Sequence, residues 1–416
     1  MKLHAELHHV IYALSDALDL VGVDDVAHGK RVGIMAAECG KVLGLPQAEI
    51  DFLFELGMLH DIGVSSTQTH QHLVSEFDWV GSQHHTIVGH DLLKGFAPLA
   101  SMALPIRYHH TKWDELLKKE LEPAVARQAN LIYLVDRVDT LAVANYSDNT
   151  LLMHVTDIRA EIQRRSGSNF SPELVDAFLI ASRTEAFWLL LEPRSIQNYL
   201  QEKLTHTTRM LAGAELKQVA QLFARIVDAK SPYTAQHSQG VANLARLLAE
   251  KLGVNPVNCD KIEIAGLLHD LGKLRVPDEI LDKPSQLDEH ERNIINAHSF
   301  ETFQILRGIK GFEEIAVWAG YHHEQPGGGG YPFHVQGDIL PLEARILRVA
   351  DIFQAMAQNR PYRAGLSKEQ VLDFMRDLVA QGRVEPEIFA VLEACADAAM
   401  DAARPELMTD SGGFIS

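Results

Sequence analysis

The feature that most constrains this chain is that it repeats itself. Glu55-Leu-Gly-Met-Leu-His60-Asp61-Ile-Gly63 and Ile264-Ala-Gly-Leu-Leu-His269-Asp270-Leu-Gly272 lie 209 residues apart, and His28 and His237 share that offset. His85 and His298 are separated by 213, as are His109-His110 and His322-His323. Asp136 and Asp351 differ by 215, and Ser171-Pro172-Glu173-Leu174 meets Glu385-Pro386-Glu387-Ile388 at 214. Landmarks in the same order, with a drift that a few loop insertions explain, imply one fold used twice.

The local patterning is helical. Leu216, Val219, Phe223 and Ile226 recur at the spacing of one helix face, and residues 31–43, 241–252 and 371–379 read the same way. Alternating β-branched runs are scarce. Pro277, Pro284 and the run Gly327-Gly328-Gly329-Gly330 mark loops. The expected architecture is all-α, a tandem repeat of two helical bundles. The expected parts are a first domain at 1–190, a helical linker at 191–215, a second domain at 216–400 and a frayed tail at 401–416.

Charge and cysteine narrow the partners. The 416 residues carry 38 Lys and Arg against 56 Asp and Glu, a formal charge of −18. A nucleic-acid polymer wants a basic face, so it is not an expected partner. A small phosphorylated ligand remains compatible, because local cations can reverse the sign inside one pocket. Cys39, Cys259 and Cys395 lie far apart with no CxxC, so neither a disulfide framework nor a zinc ribbon is expected. No signal peptide or membrane-spanning run is read in the sequence, and the expected location is the cytoplasm.

The chemistry sits in the repeated positions. In the second half these are His237, His269, Asp270, His298, His322, His323 and Asp351. Imidazole with carboxylate suits borderline transition metals such as Fe, Mn, Zn or Ni. Adjacent His269 and Asp270 would diverge on a regular helix, so a shared site requires the helix to end there, which Gly272 permits. Asp270 could then bridge two metals. Seven ligands suit a metal pair with open positions better than one closed structural site.

This set resembles the HD superfamily of metal-dependent phosphohydrolases. The second half is similar to an HD-GYP domain through His269-Asp270-Leu271-Gly272-Lys273, Pro277-Asp278, His322-His323-Glu324 and Gly330-Tyr331-Pro332. Ile346 to Asp351 and Arg360-Pro361-Tyr362-Arg363 extend the resemblance over about 216–400. The resemblance implies a bacterial signalling enzyme that hydrolyses a 3′,5′-cyclic dinucleotide, cyclic di-GMP being favoured over the hybrid cyclic GMP-AMP. It also implies a centre of two or three divalent metals, iron or manganese, that activates water for in-line attack on phosphorus, two being expected here. Lys273 would bind the scissile phosphate, Arg360 and Arg363 would clamp phosphate, and Gly330, Tyr331 and Pro332 would shape the pocket, Tyr331 stacking on a base. The sequence departs from the family at Gly327 and Gln354, where Asp is common. It has Tyr233 where three-metal members carry an acid.

The first half resembles a diverged HD domain. Its candidate ligands are His28, His60, Asp61, His85, His109, His110 and Asp136. Val64 stands where the second half has Lys273, Asn145 and Asp148 where it has Arg360 and Arg363, and Thr111-Lys112-Trp113-Asp114 replaces the Gly-Tyr-Pro loop. The expectation is a second metal site without cyclic dinucleotide cleavage, regulatory in role. His70, His72, His84 and His90 are read as surface residues. A non-catalytic nucleotide- or protein-binding adaptor is the competing class for the whole chain, and a homodimer or a signalling-protein partner is left open.

Overall fold

The computed structural model describes residues 3–22, 27–75, 81, 83–146, 150–204, 209–230, 236–358 and 364–405. They form two units. One runs from Glu6 to Met210; the other runs from Leu211 onward and includes the first residues up to Ala5.

Each unit is a helical bundle, and the repeat can be followed helix by helix. His28–Val42 in the first unit answers to His237–Lys251 in the second, each 15 residues long and each beginning on its histidine. Gln47–Leu59 answers to Pro256–Leu268, both 13 residues, both ending one residue before the His-Asp pair. Gln83–Leu93 corresponds to His298–Leu306, Pro123–Ala142 to Leu342–Ala357, and Pro172–Ala181 to Pro386–Ala394. The last pair share a proline in the first turn, where its missing N–H costs nothing. The stripe Leu216, Val219, Phe223 and Ile226 is buried on the helix Ala214–Asp228. Full burial of one such side chain is worth about 1.5–3 kcal/mol.

The segment expected as a linker is not one continuous helix. The helix Pro193–Lys203 packs on the first unit. Ile196, Tyr199 and Leu200 are buried, the Tyr199 ring lies 5.4 Å from that of Phe54, and Lys203 pairs with Asp51. The chain then forms a three-residue strand, Met210–Ala212, paired with His4–Glu6. These are the two strands among the described residues. Periodicity favoured helix there because a three-residue strand is too short to display alternation. No described helix is long and apolar enough to cross a membrane.

One contact recurs in both units and fixes where the site forms. A Cβ on Gly63 would lie 2.0 Å from the carbonyl oxygen of His85, and one on Gly272 would lie 2.1 Å from that of His298. Only glycine allows the turn after each His-Asp pair to rest directly on the helix that carries the next histidine.

Candidate metal centres

The expected helix break is present in both repeats. Leu268 is the last residue of its helix, His269 caps it, and Asp270 leaves helical geometry with φ −97° and ψ 8°. Thr302 Oγ1 donates to His269 O at 3.0 Å and accepts from Gly272 N at 2.9 Å, so the turn is tied to the His298 helix.

All seven second-half positions converge. Ligand atoms of His237, His269 and Asp351 form one group, those of His298, His322 and His323 another, and those of His269, Asp270 and His322 a third between them. Asp270 spans the groups. Its Oδ2 lies 3.3 Å from both His237 Nε2 and His269 Nε2, and its Oδ1 lies 3.4 Å from His298 Nε2. The first half repeats this arrangement. His28, His60 and Asp136 form one group, and Asp61, His85, His109 and His110 the other. Asp61 Oδ2 is 3.5 Å from His60 Nε2, and its Oδ1 is 3.2 Å from His85 Nε2.

The donor chemistry fits cations. Nδ1 of His60, His109, His269, His298 and His322 each donates to the carbonyl three residues back, at 2.6–2.7 Å. In the neutral ring that leaves Nε2 with its lone pair directed into the cluster. Nε2 atoms then face each other in pairs: 3.3 Å for His28–His60 and His85–His109, 3.2 Å for His237–His269, 3.3 Å for His298–His322. Facing lone pairs at that distance repel unless a proton or a metal lies between them. His110 Nε2 is buried with no hydrogen-bond partner among the described residues. Borderline divalent metals match this ligand set.

Electrostatics agree. Burial would raise the Asp270 carboxyl, but the charges of His269 and Lys273 and the bonds from His237 and His269 hold it well below the usual carboxylate range. Asp61 and Asp351 are lowered in the same way, against burial, chiefly by neighbouring histidines. Burial opposes protonation of His28 and His237, yet hydrogen bonds to Asp139 for the first, and to Asp270 and Asp351 for the second, push them up to about 9 and about 10. Burial brings His109 and His298 down to about 4 and takes His110, His322 and His323 well below their ordinary value.

The surroundings of the two centres differ. Lys273 Nζ lies 2.6 Å from Asp270 Oδ2; the corresponding Val64 is buried and apolar. Glu324 Oε1 accepts from the N–H groups of Phe333 and His334 at 2.6 and 3.1 Å and anchors the loop that carries Gly330, Tyr331 and Pro332. Tyr331 was expected to stack on a base. Its ring lies 4.7 Å from that of His323, so one aromatic contact is made to the candidate ligand itself. Arg360, Arg363, Tyr233 and Asp148 lie outside the described residues, as does most of the tail.

Sequence reasoning passed over several buried groups in the first repeat. Arg137 donates to Asp136 Oδ2 at 2.8 Å, and Arg31 donates twice to Asp139 at 2.7 and 2.8 Å. The first cluster has therefore not lost all its cations; it holds them behind the candidate ligands. His70, read as a surface residue, is buried with its ring 6.3 Å from that of His28. By the repeat offsets Arg31 and Asp139 stand opposite Gly240 and Gln354, a difference between the repeats that the sequence shows without showing the contacts behind it.

Comparison with known proteins places this geometry. Residues 26–141 and 221–388 each match the HD domain family. The chain is 38% identical over 395 residues to the 3′3′-cGAMP-specific phosphodiesterase 1 of Vibrio cholerae serotype O1, covering 94% of this chain and 91% of that one. The chain belongs to the HD-domain cyclic dinucleotide phosphodiesterases. It carries two HD domains and is a phosphodiesterase. A cyclic di-GMP phosphodiesterase response regulator of Xanthomonas campestris is 33% identical over 178 residues, 42% of this chain and 47% of its own. The crystal structure of a cyclic GMP-AMP specific phosphodiesterase of V. cholerae superposes with a TM-score of 0.65 at 26% identity, covering 95% of this chain and 98% of that one.

Proposed function

We propose that the second repeat hydrolyses a 3′,5′-cyclic dinucleotide and that the hybrid cyclic GMP-AMP is preferred over cyclic di-GMP. The observation that carries the reaction is Asp270, one buried carboxylate shared between two histidine clusters with Lys273 beside it. The preference for cyclic di-GMP expected from the sequence gives way to its alternative. A relative that spans both repeats is named as cGAMP-specific, whereas the Xanthomonas cyclic di-GMP enzyme aligns with less than half of the chain.

His237, His269, Asp270, His298, His322, His323 and Asp351 would hold two divalent metals, for which iron and manganese are the favoured identities. Such a pair supplies Lewis acidity toward the phosphoryl oxygens and lowers the pKa of water. The chain's own groups do the rest. The carbonyls of Gly266, Ile295 and Ala319 fix the ring orientation of His269, His298 and His322 before substrate arrives. Lys273, 22% exposed in its side chain, exchanges its bond to Asp270 for one to the scissile phosphate and offsets the charge that grows there. Glu324 holds the Gly330–Pro332 loop against His323 and keeps that wall of the pocket in place. Arg360 and Arg363 would add phosphate contacts. The first repeat would hold metal at His28, His60, Asp61, His85, His109, His110 and Asp136 and act as a regulatory domain, since Val64 offers no charge to a phosphate.

The test is hydrolysis of cyclic GMP-AMP and cyclic di-GMP side by side, with protein purified anaerobically and loaded with Fe(II) or Mn(II). The expected result is turnover of both, faster for the hybrid, and none for Asp270→Ala. Faster cyclic di-GMP turnover would overturn the preference. Metal-loaded protein with no turnover of either would overturn the reading.

A further inference from the structure

At one position the two repeats support the same histidine by different means. His28 Nδ1 donates to Asp139 Oδ2 at 2.8 Å. Asp139 also takes two bonds from Arg31 and one from the Tyr146 hydroxyl at 2.7 Å, so an ion pair stands behind the ring. His237 Nδ1 donates instead to Gln354 Oε1 at 2.6 Å. Gln354 is 1% exposed, and its Nε2 donates to Gln358 Oε1 at 3.3 Å and to Ala403 O at 3.4 Å. Those two acceptors fix the amide orientation and leave Oε1 for the histidine.

The exchange involves two positions. Gly240 stands where the first repeat has Arg31. A Cβ there would lie 2.5 Å from Ala403 O and 3.0 Å from Gln354 Cγ. The end of the helix Ala396–Ala403 therefore fills the space that an arginine side chain fills in the first repeat. Arg404 pins that end, donating to Ala357 O at 2.9 Å and to Leu366 O at 3.1 Å. An aspartate–arginine pair is replaced by an amide and a main-chain carbonyl.

We propose that Gln354 is the positioning residue for His237, as Asp139 is for His28. Each fixes the tautomer that presents Nε2 to its cluster, and the neutral amide is a weaker acceptor for the His237 Nδ1–H than a carboxylate would be. The inference rests on the reading that these clusters bind divalent metal. Groups behind a ligand histidine commonly change metal affinity by about 10- to 100-fold when altered.

The experiment measures Mn(II) affinity by competition with a fluorescent chelator. It uses the full chain with the first cluster disabled by His28→Ala and His60→Ala. Gln354→Met keeps the length and loses the acceptor, and about tenfold weaker binding is expected. Gln354→Glu restores an acceptor and adds charge, and binding at least as tight as the parent's is expected. Asp139→Asn, in a chain whose second cluster is disabled by His237→Ala and His269→Ala, is expected to weaken binding about tenfold. Thermal unfolding with chelator present checks each fold. If Gln354→Glu does not fold, the other two substitutions decide the question. Equal Mn(II) affinity in folded Gln354→Met and its parent would overturn the inference alone. A parent chain that binds no Mn(II) would overturn it together with the functional reading.

Discussion

Three residues past each His-Asp pair the repeats part company: Val64 is buried and apolar, while Lys273 reaches the Asp270 carboxylate at 2.6 Å. The difference recurs elsewhere. Arg137, beside Asp136, is buried and faces inward, whereas Ile352 holds the same place beside Asp351. The first cluster holds Arg31 and Arg137 behind its candidate ligands, and the second keeps Lys273 beside Asp270 with its side chain 22% exposed. Two sites with the same ligand list can thus be fitted to different tasks by the groups just outside that list.

The largest effect expected from this comparison is at Asp270, the carboxylate that lies between the two histidine groups. Asp270→Ala should lower cyclic dinucleotide turnover by about 10⁴-fold or more, because both metal clusters lose their shared ligand. Asp61→Ala should lower the metal content of the chain while turnover falls by less than tenfold. A comparable loss of turnover in both variants would erase the division of labour. Next, Lys273→Met should cost about 10²- to 10³-fold in kcat with little change in bound metal, the range seen for removing one preorganised charge-stabilising donor. A loss confined to KM would instead make Lys273 a ground-state binder.

The repeats should behave alike where the main chain is concerned. Gly63→Ala and Gly272→Ala each force a Cβ into a carbonyl oxygen, and each should destabilise its unit by about 2–3 kcal/mol or more in thermal or urea unfolding. A mild effect in one and a severe one in the other would mean the two turns are not equivalent. The smallest effect is a graded one. With His28 raised to about 9 and His237 to about 10, a metal must displace a proton from each at neutral pH. Apparent metal affinity should rise with pH, by at most about tenfold per unit for one proton displaced, and level off above those values. Calorimetric titration in buffers of different ionisation enthalpy would read the released proton.

Much of this was legible in the sequence because most of the candidate ligand histidines lie at helix starts and ends, where a short motif fixes geometry. The seven positions could be gathered from the repeat, and Gly272 permitted the helix to end after His269. The supports behind them were harder to see. Asp139 reaches Arg31 across 108 residues of chain, and Gln354 reaches Ala403 across 49. No local pattern encodes contacts that only the assembled bundle creates. Tyr331 illustrates the same limit: its loop was recognisable, but its contact with His323 depends on Glu324 holding the loop from behind. The strand Met210–Ala212 was missed because its partner His4–Glu6 lies at the other end of the first repeat.

The glycine turn after each His-Asp pair has a consequence for how such proteins diverge. At Gly63 and Gly272 backbone rests on backbone, and at Gly272 the Thr302 hydroxyl adds one side-chain tie. The spacing between the His-Asp pair and the next histidine is therefore insulated from most substitutions around it. The repeats differ by lysine against valine beside the His-Asp pair, and by aspartate against glutamine behind the first histidine, while their candidate ligands stay together. Such a scaffold lets one copy drift toward a new role while the other keeps the old one, at no cost to the frame they share.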